Sequence, residues 1–162
     1  MNSNNLYHTP KDIYVYVDET GNDDVSSEIG YGFFITYQSY GDLLEIVEKA
    51  KSKCNMAVKD FFHASKDNNV KKECLLAEVN KSLSGEFFAI FEPKKGDFNN
   101  SKSSTNSIFK KLLRGLLVKF AHLPVVVNIV MEQKQGVNSS TITEIIKNFV
   151  EYSRSGKVRF ID

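Results

Sequence analysis

Two adjacent carboxylates, Asp18 and Glu19, follow a run of residues that is typical of a buried strand. In residues 13–17, aliphatic side chains alternate with tyrosines, and β-branched and aromatic residues favour strands. Gly21 and Asn22 then predict a turn. A carboxylate fixed at the end of a core strand can bind the Mg²⁺ or Mn²⁺ that assists phosphoryl chemistry. The same residues are also typical of an ordinary polar turn, which the pattern alone favours because Asp, Gly and Asn are common turn residues.

Two later strands are also predicted to end on an acid. The apolar run 125–131 leads into Glu132, and the run 157–161 leads into Asp162. Because functional side chains in α/β sheets gather at the carboxyl ends of strands, we expect Asp18, Glu132 and Asp162 to share one edge. This expectation requires the three strands to be parallel neighbours. Alternatively, Glu132 is a solvated residue before a polar loop, and Asp162 is a frayed terminal residue.

The order of the predicted elements indicates an α/β fold with a mixed central sheet flanked by helices. A polar, serine-rich segment predicts a loop over 99–107. Strands are predicted at 13–17, 30–37, 58–64, 86–91, 125–131 and 157–161, and helices at 42–54, 67–85, 106–122 and 141–156.

The length and composition are those of one folded domain. The 162 residues are 41% hydrophobic and 25% charged, which excludes wholesale disorder. We expect a flexible tail over 1–10 and a single domain over 11–162. No apolar run approaches membrane-spanning length and no signal sequence is visible, so the predicted location is the cytoplasm, with no membrane partner.

The two cysteines, Cys54 and Cys74, lack the spacing of metal ligands. Both fall on the apolar side of a predicted helix. They are therefore expected to be small core residues.

Charge is unevenly distributed along the chain. Residues 1–48 hold one basic and nine acidic side chains, whereas residues 94–119 hold seven basic side chains and one acid. The basic members of the helix at 106–122 could contact a nucleic-acid backbone, although a solvated amphipathic face would look the same. The residues expected on this basic face are Lys110, Lys111, Arg114 and Lys119.

The segment 16–21, Tyr-Val-Asp-Glu-Thr-Gly, resembles the opening motif of the DUF3800 family, which is Tyr-hydrophobic-Asp-Glu-Ser-Gly. Further segments occur in the order found in that family, so the resemblance extends over nearly the whole chain. They are the glycine-aromatic strand at 30–37, the segment 61–65, the apolar strand before Glu132, and 158–162.

Similarity to this family implies a ribonuclease H-like domain whose acids bind two Mg²⁺ or Mn²⁺ ions. Asp18 would be the bridging metal ligand, Glu132 would replace the usual Asp of the later strand, and Asp162 would match a third acid. Glu19 and His63 would be supporting catalytic residues. A lone histidine between Phe62 and Ala64 is otherwise expected to be a hydrogen-bonded core or edge residue.

The sequence departs from the family pattern in three places. Thr20 replaces Ser, Glu132 replaces Asp, and family members continue past the position of Asp162 into a closing helix with a further acid. Two hypotheses follow. The first is a metal-dependent nuclease or phosphodiesterase acting on nucleic acid. The second is a non-catalytic interaction domain of the same fold, which works as a homo-oligomer or with a protein partner that covers apolar surface or a sheet edge.

Overall fold

The structure is a computed structural model and describes residues 11–20, 26–57, 67–94, 101–120, 125–131, 144 and 157–161. The predicted α/β class with a mixed sheet is confirmed. None of the helices in the described part of the chain is both long enough and apolar enough to cross a membrane. The elements found there are β1 (Lys11–Thr20), β2 (Glu28–Thr36), α1 (Tyr40–Lys53), α2 (Asn69–Asn80), β3 (Glu86–Pro93), α3 (Ser101–Phe120), β4 (Val125–Met131) and β5 (Lys157–Ile161).

The five strands form one sheet in the order β3-β2-β1-β4-β5. β1 pairs in parallel with β4, β4 pairs in parallel with β5, and β2 pairs antiparallel with β3. Only residues 21–27 separate β1 from β2, which is too short for the crossover that a parallel pair requires, so these two strands form an antiparallel hairpin. The three parallel strands therefore point their carboxyl ends toward one edge of the sheet.

One face of this sheet packs against α3. The inward side chains alternate along β1 and β2, and they meet the apolar side of the helix, where residues recur at a spacing of three and four. The central aromatic cluster places Phe109 edge-on to Tyr31 at 5.4 Å between ring centroids. The core comprises Ile13, Val15, Val17, Ile29, Tyr31, Phe33, Ile35, Val127 and Ile129 from the sheet, and Ile108, Phe109, Leu112, Leu113, Leu116 and Phe120 from α3.

The polar segment before Ile108 is helical, so the prediction of a loop over 99–107 is wrong for residues 101–107. Tertiary hydrogen bonds stabilise these first turns of α3, even though serine and threonine have modest helix propensity. Ser104 is buried and donates to the Pro93 carbonyl oxygen at 3.0 Å, and Ser107 donates to Glu92 at 3.1 Å. Sequence propensity could not reveal these partners because they lie on β3.

Contacts divide the chain into two compact units. The first, here called the sheet unit, contains β1 to β5 and α3, and the second, the helical unit, is Thr36–Gly85. In the helical unit, Ser39 and Asp42 form a reciprocal capping box at the start of α1. Asn68 caps α2 by accepting from the Lys71 N–H at 2.9 Å.

Cys54 and Cys74 form a disulfide and are half-buried, so the expectation that they are small core residues is wrong. Cys54 is the C-cap of α1 and Cys74 lies within α2, and the two Cα atoms are 5.9 Å apart. Helical periodicity placed both side chains on the inward sides of their helices. It could not show that these two sides meet at the cysteines.

Candidate active site

The strands β1, β4 and β5 are parallel neighbours, as the sequence-based expectation required. Their carboxyl ends therefore lie at one edge of the sheet. Val17 of β1 is the register partner of Met131 of β4, and Val130 is the partner of Ile161 of β5. Glu132 and Asp162 follow the last residues of β4 and β5 in the sequence, whereas Asp18 follows Val17 within β1, which continues to Thr20. Of these acids, only Asp18 belongs to the described residues. Glu132, Asp162 and His63 lie outside them, as do the predicted strand at 58–64 and nearly all of the helix predicted at 141–156.

Asp18 is exposed and lies on the sheet face opposite α3. This follows from strand alternation, because Val15 and Val17 point into the core and the even-numbered residues point the other way. The Asp18 carboxylate accepts a hydrogen bond from the Glu19 N–H at 3.0 Å, which fixes its orientation at the strand end. Gly32 of β2 lies beside it, and a Cβ at Gly32 would stand 3.9 Å from the Asp18 carbonyl oxygen. No side chain from Gly32 covers the sheet surface beside Asp18.

Glu19 lies on the opposite face from Asp18. It follows Val15 and Val17 in the strand alternation, and its carboxylate interacts with the buried Tyr31 hydroxyl. Within a strand, carboxylates on opposite faces point away from each other. The geometry therefore suits Glu19 to a supporting position under the strand end, next to the first turns of α3.

Tyr31 joins β2 to α3 in the middle of the core. Its ring is fully buried, and its hydroxyl is 3.2 Å from the Thr105 hydroxyl, which is also buried. Burial raises the pKa of Tyr31 to about 12, with a smaller lowering by the Thr105 hydrogen bond and a further rise from the Glu19 charge. The phenol is therefore neutral throughout the physiological pH range.

Replacing Tyr31 with Phe is expected to lower the free energy of unfolding by about 1 kcal/mol at neutral pH, because Thr105 loses its buried partner. The unfolded chain releases the phenol proton above its ordinary pKa of 10.0, whereas the folded chain holds it to about 12. The wild-type protein should therefore lose up to about 3 kcal/mol more stability than Tyr31→Phe between about pH 10 and about pH 12. Urea unfolding of both proteins across this range measures the difference, and parallel curves would contradict it.

Asn128 is a polar residue of the sheet that the sequence interpretation did not single out. It interrupts the apolar run of β4, is buried, and donates to the Asp12 carboxylate at 3.0 Å. Asp12 shares a face with Asp18 but lies near the opposite end of β1. A single amide within an otherwise aliphatic run was the signal that could have indicated a partner on the neighbouring strand.

The basic face of α3 divides into two kinds of side chain. Lys111 forms an ion pair with Glu92, and Lys119 forms one with Glu86, so both lysines connect α3 to β3. Lys110 and Arg114 are exposed on the outer side of the helix. All four predicted basic residues thus lie on α3, and two of them form ion pairs with β3.

Within the described ranges, no group of three or more His, Cys, Asp or Glu side chains is positioned to hold a metal ion. Asp18 is the one predicted ligand that these ranges include. The chain matches no known protein-family model, and no curated protein is significantly similar to it.

Proposed function

We propose that this protein is a ribonuclease H-like, divalent-metal-dependent nuclease or phosphodiesterase with its active site at the carboxyl edge of the sheet. The observation that carries the proposal is the parallel alignment of β1 with β4, in which Val17 and Met131 are paired. The sequence continues from these two paired residues directly into Asp18 and Glu132. Acids that follow neighbouring parallel strands are suited to binding one substrate or ion together.

The resemblance of residues 16–21 to the DUF3800 motif supports the same function. The motif supplies Asp18 at the end of a central strand, and the mixed sheet agrees with the α/β architecture that the family implies. Membership in that family, and the ribonuclease H-like fold itself, are parts of the proposal.

The chemistry of Asp18 fits a hard divalent cation. Mg²⁺ and Mn²⁺ prefer carboxylate oxygens, and Asp18 offers an exposed carboxylate that a backbone N–H orients. In the proposed site Asp18 holds the metal together with Glu132 and Asp162. Bound Mg²⁺ or Mn²⁺ supplies an activated water and stabilises the leaving oxygen of a phosphodiester. Glu19 and His63 are the proposed supporting residues, and Glu19 acts by fixing the end of β1 from the opposite face.

Nucleic acid is the proposed substrate. Lys110 and Arg114 offer exposed positive charges on the outer side of α3, across the sheet from Asp18. In this proposal they supply a sequence-independent attraction to phosphates at a distance from the metal. Lys111 and Lys119 contribute less in this proposal, because Glu92 and Glu86 neutralise them.

Replacing Asp18 with Asn is expected to weaken Mn²⁺ and Mg²⁺ binding by about tenfold or more, since the amide removes the negative charge that attracts the ion. Titration calorimetry on the wild-type and variant proteins measures the affinity. The matched control is Asp12→Asn, which removes a carboxylate from the same strand and the same face, but near its other end. Asp12→Asn should bind metal as the wild-type protein does.

The proposal fails if both variants bind metal with wild-type affinity, or if the wild-type protein binds none. Thermal unfolding of each variant shows whether the fold is intact. If metal binding depends on Asp18, a cleavage screen with single-stranded and duplex DNA and RNA then identifies the substrate, and Asp18→Asn should abolish the cleavage.

A second candidate function is a non-catalytic interaction domain, and one observation favours it. β3 is the last strand at its end of the described sheet, and Phe87 and Phe91 on this strand are 71% and 55% exposed. Exposed aromatic side chains on an edge strand favour association with another chain. Failure of the metal experiment, combined with self-association in solution, would select this function over the nuclease.

A further inference from the structure

The Cys54–Cys74 disulfide joins the two helices of the helical unit. The bond connects the C-terminal end of α1 with a central position of α2, across a sequence separation of 20 residues. Both cysteines are half-buried. A covalent link over such a loop restricts the unfolded chain enough to favour the folded helix pair by roughly 100-fold.

Apolar burial among the described residues of the helical unit, 36–57 and 67–85, is slight. Among its described hydrophobic residues, Ala50, Met56 and Leu75 are buried. Larger apolar side chains on the same helices are exposed, including Leu44 at 46% and Val70 at 76%. A helix pair that buries only this much apolar surface would be marginally stable without a cross-link.

The charged contacts between the described parts of α1 and α2 add little to the small apolar contact. Lys53 of α1 and Glu78 of α2 form an ion pair with a nitrogen–oxygen distance of 2.9 Å, and Lys81 also pairs with Glu78. These hydrogen bonds lower the pKa of Glu78. Both lysine side chains are more than 60% exposed, and exposed pairs add little to stability. The disulfide is therefore the strongest connection between α1 and α2.

Hydrogen bonds connect the two ends of the helical unit independently of the disulfide. Thr36 donates to the Ser84 carbonyl oxygen at 2.5 Å, and the Gln38 side chain donates to the Ser82 carbonyl oxygen at 3.0 Å. The Ser84 N–H donates back to the Gln38 side-chain oxygen at 2.8 Å. These hydrogen bonds connect the first and last residues of the helical unit and do not involve the cysteines. Loss of the disulfide should therefore affect α1 and α2 and not these end segments.

We propose that the disulfide is a redox-sensitive switch that controls the order of α1 and α2. A dithiol reductant attacks one sulfur of the Cys54–Cys74 bond as a thiolate and forms a mixed disulfide, and the other cysteine leaves as a thiolate that takes up a proton. The second thiol of the reductant then displaces the first cysteine. The protein gains two thiols, the reductant becomes a disulfide, and the two helices separate. In the cytoplasm, the location predicted from the sequence, thiols are kept reduced and oxidants would order the helices.

Hydrogen exchange of the full chain, before and after reduction with dithiothreitol, tests this switch. Reduction should increase amide exchange in Tyr40–Lys53 and Asn69–Asn80 by about tenfold or more, while β1 and α3 keep their protection. Alkylation of the new thiols, followed by mass spectrometry, verifies that the bond is open. Unchanged exchange in α1 and α2 of the verified reduced protein overturns the proposal.

Two variants complete the experiment. The double variant Cys54→Ser/Cys74→Ser should show the exchange pattern of the reduced protein without any reductant. Lys53→Met removes the neighbouring ion pair but keeps the disulfide, and its helices should stay protected until dithiothreitol is added. A serine double variant that retains full protection in both helices also overturns the proposal. Because no step involves Asp18 or metal, the outcome is independent of the proposed nuclease function.

Discussion

Replacing Phe109 with Ala is expected to lower the free energy of unfolding of the sheet unit by about 4 kcal/mol. The ring is fully buried in α3 and lies edge-on to both Tyr31 and Phe33, with centroid distances of 5.4 and 6.1 Å. Truncation removes this apolar surface and both aromatic contacts, and it leaves a cavity between rigid strands that cannot close over it. Urea unfolding followed by circular dichroism measures the loss.

Val118→Ala is the matched control for this prediction, because Val118 lies on the same helix and is 81% exposed. Its replacement should change the free energy of unfolding by no more than about 0.5 kcal/mol. A loss below about 2 kcal/mol in Phe109→Ala would indicate that α3 packs on the sheet less tightly than the structure describes.

Strands with strong local patterns could be predicted from the sequence. Alternation in β1 and the aliphatic run of β4 identified both strands, because side-chain burial repeats directly along the chain. Their parallel pairing could not be predicted, since it depends on contacts between segments more than 100 residues apart. The parallel pairing of β1 with β4, and of β4 with β5, is the reason why the three acids are candidates for one site at one edge of the sheet.

The errors have a common physical cause, which is a partner distant in sequence. Ser104 and Thr105 look like loop residues until their partners on β3 and β2 are known. Cys54 and Cys74 look like apolar core residues, because burial beside another helix gives the same pattern whether or not the sulfurs bond. Local propensity contains no information about such contacts.

The division of Asp18 and Glu19 between two faces was, in contrast, available from the sequence. Consecutive strand residues point to opposite sides, so two adjacent acids within a strand cannot act on the same face. The strand was predicted only over 13–17, which placed both acids beyond its end, but β1 continues to Thr20. The extra strand length is what assigns different positions to the two carboxylates.

The proposed binding of nucleic acid makes an equally sharp prediction for the basic face of α3. In about 50 mM salt, Lys110→Ala/Arg114→Ala should weaken binding to a DNA duplex of about 20 base pairs by about 100-fold, because each lost phosphate contact costs roughly tenfold. The slope of log affinity against log salt concentration should become less negative by about 2. Fluorescence anisotropy at several salt concentrations measures both quantities.

Lys111→Ala/Lys119→Ala is the matched comparison, since it removes the same positive charge from the same helix. Glu92 and Glu86 engage these lysines, so their loss should weaken DNA binding much less and should instead reduce stability, by less than about 1 kcal/mol for each exposed pair. Equal losses of affinity in the two double variants would mean that net charge alone attracts DNA. A loss confined to Lys110→Ala/Arg114→Ala would locate the phosphate backbone on the outer side of α3, because Glu92 and Glu86 do not engage the cations there and these can exchange their counterions for a nucleic acid.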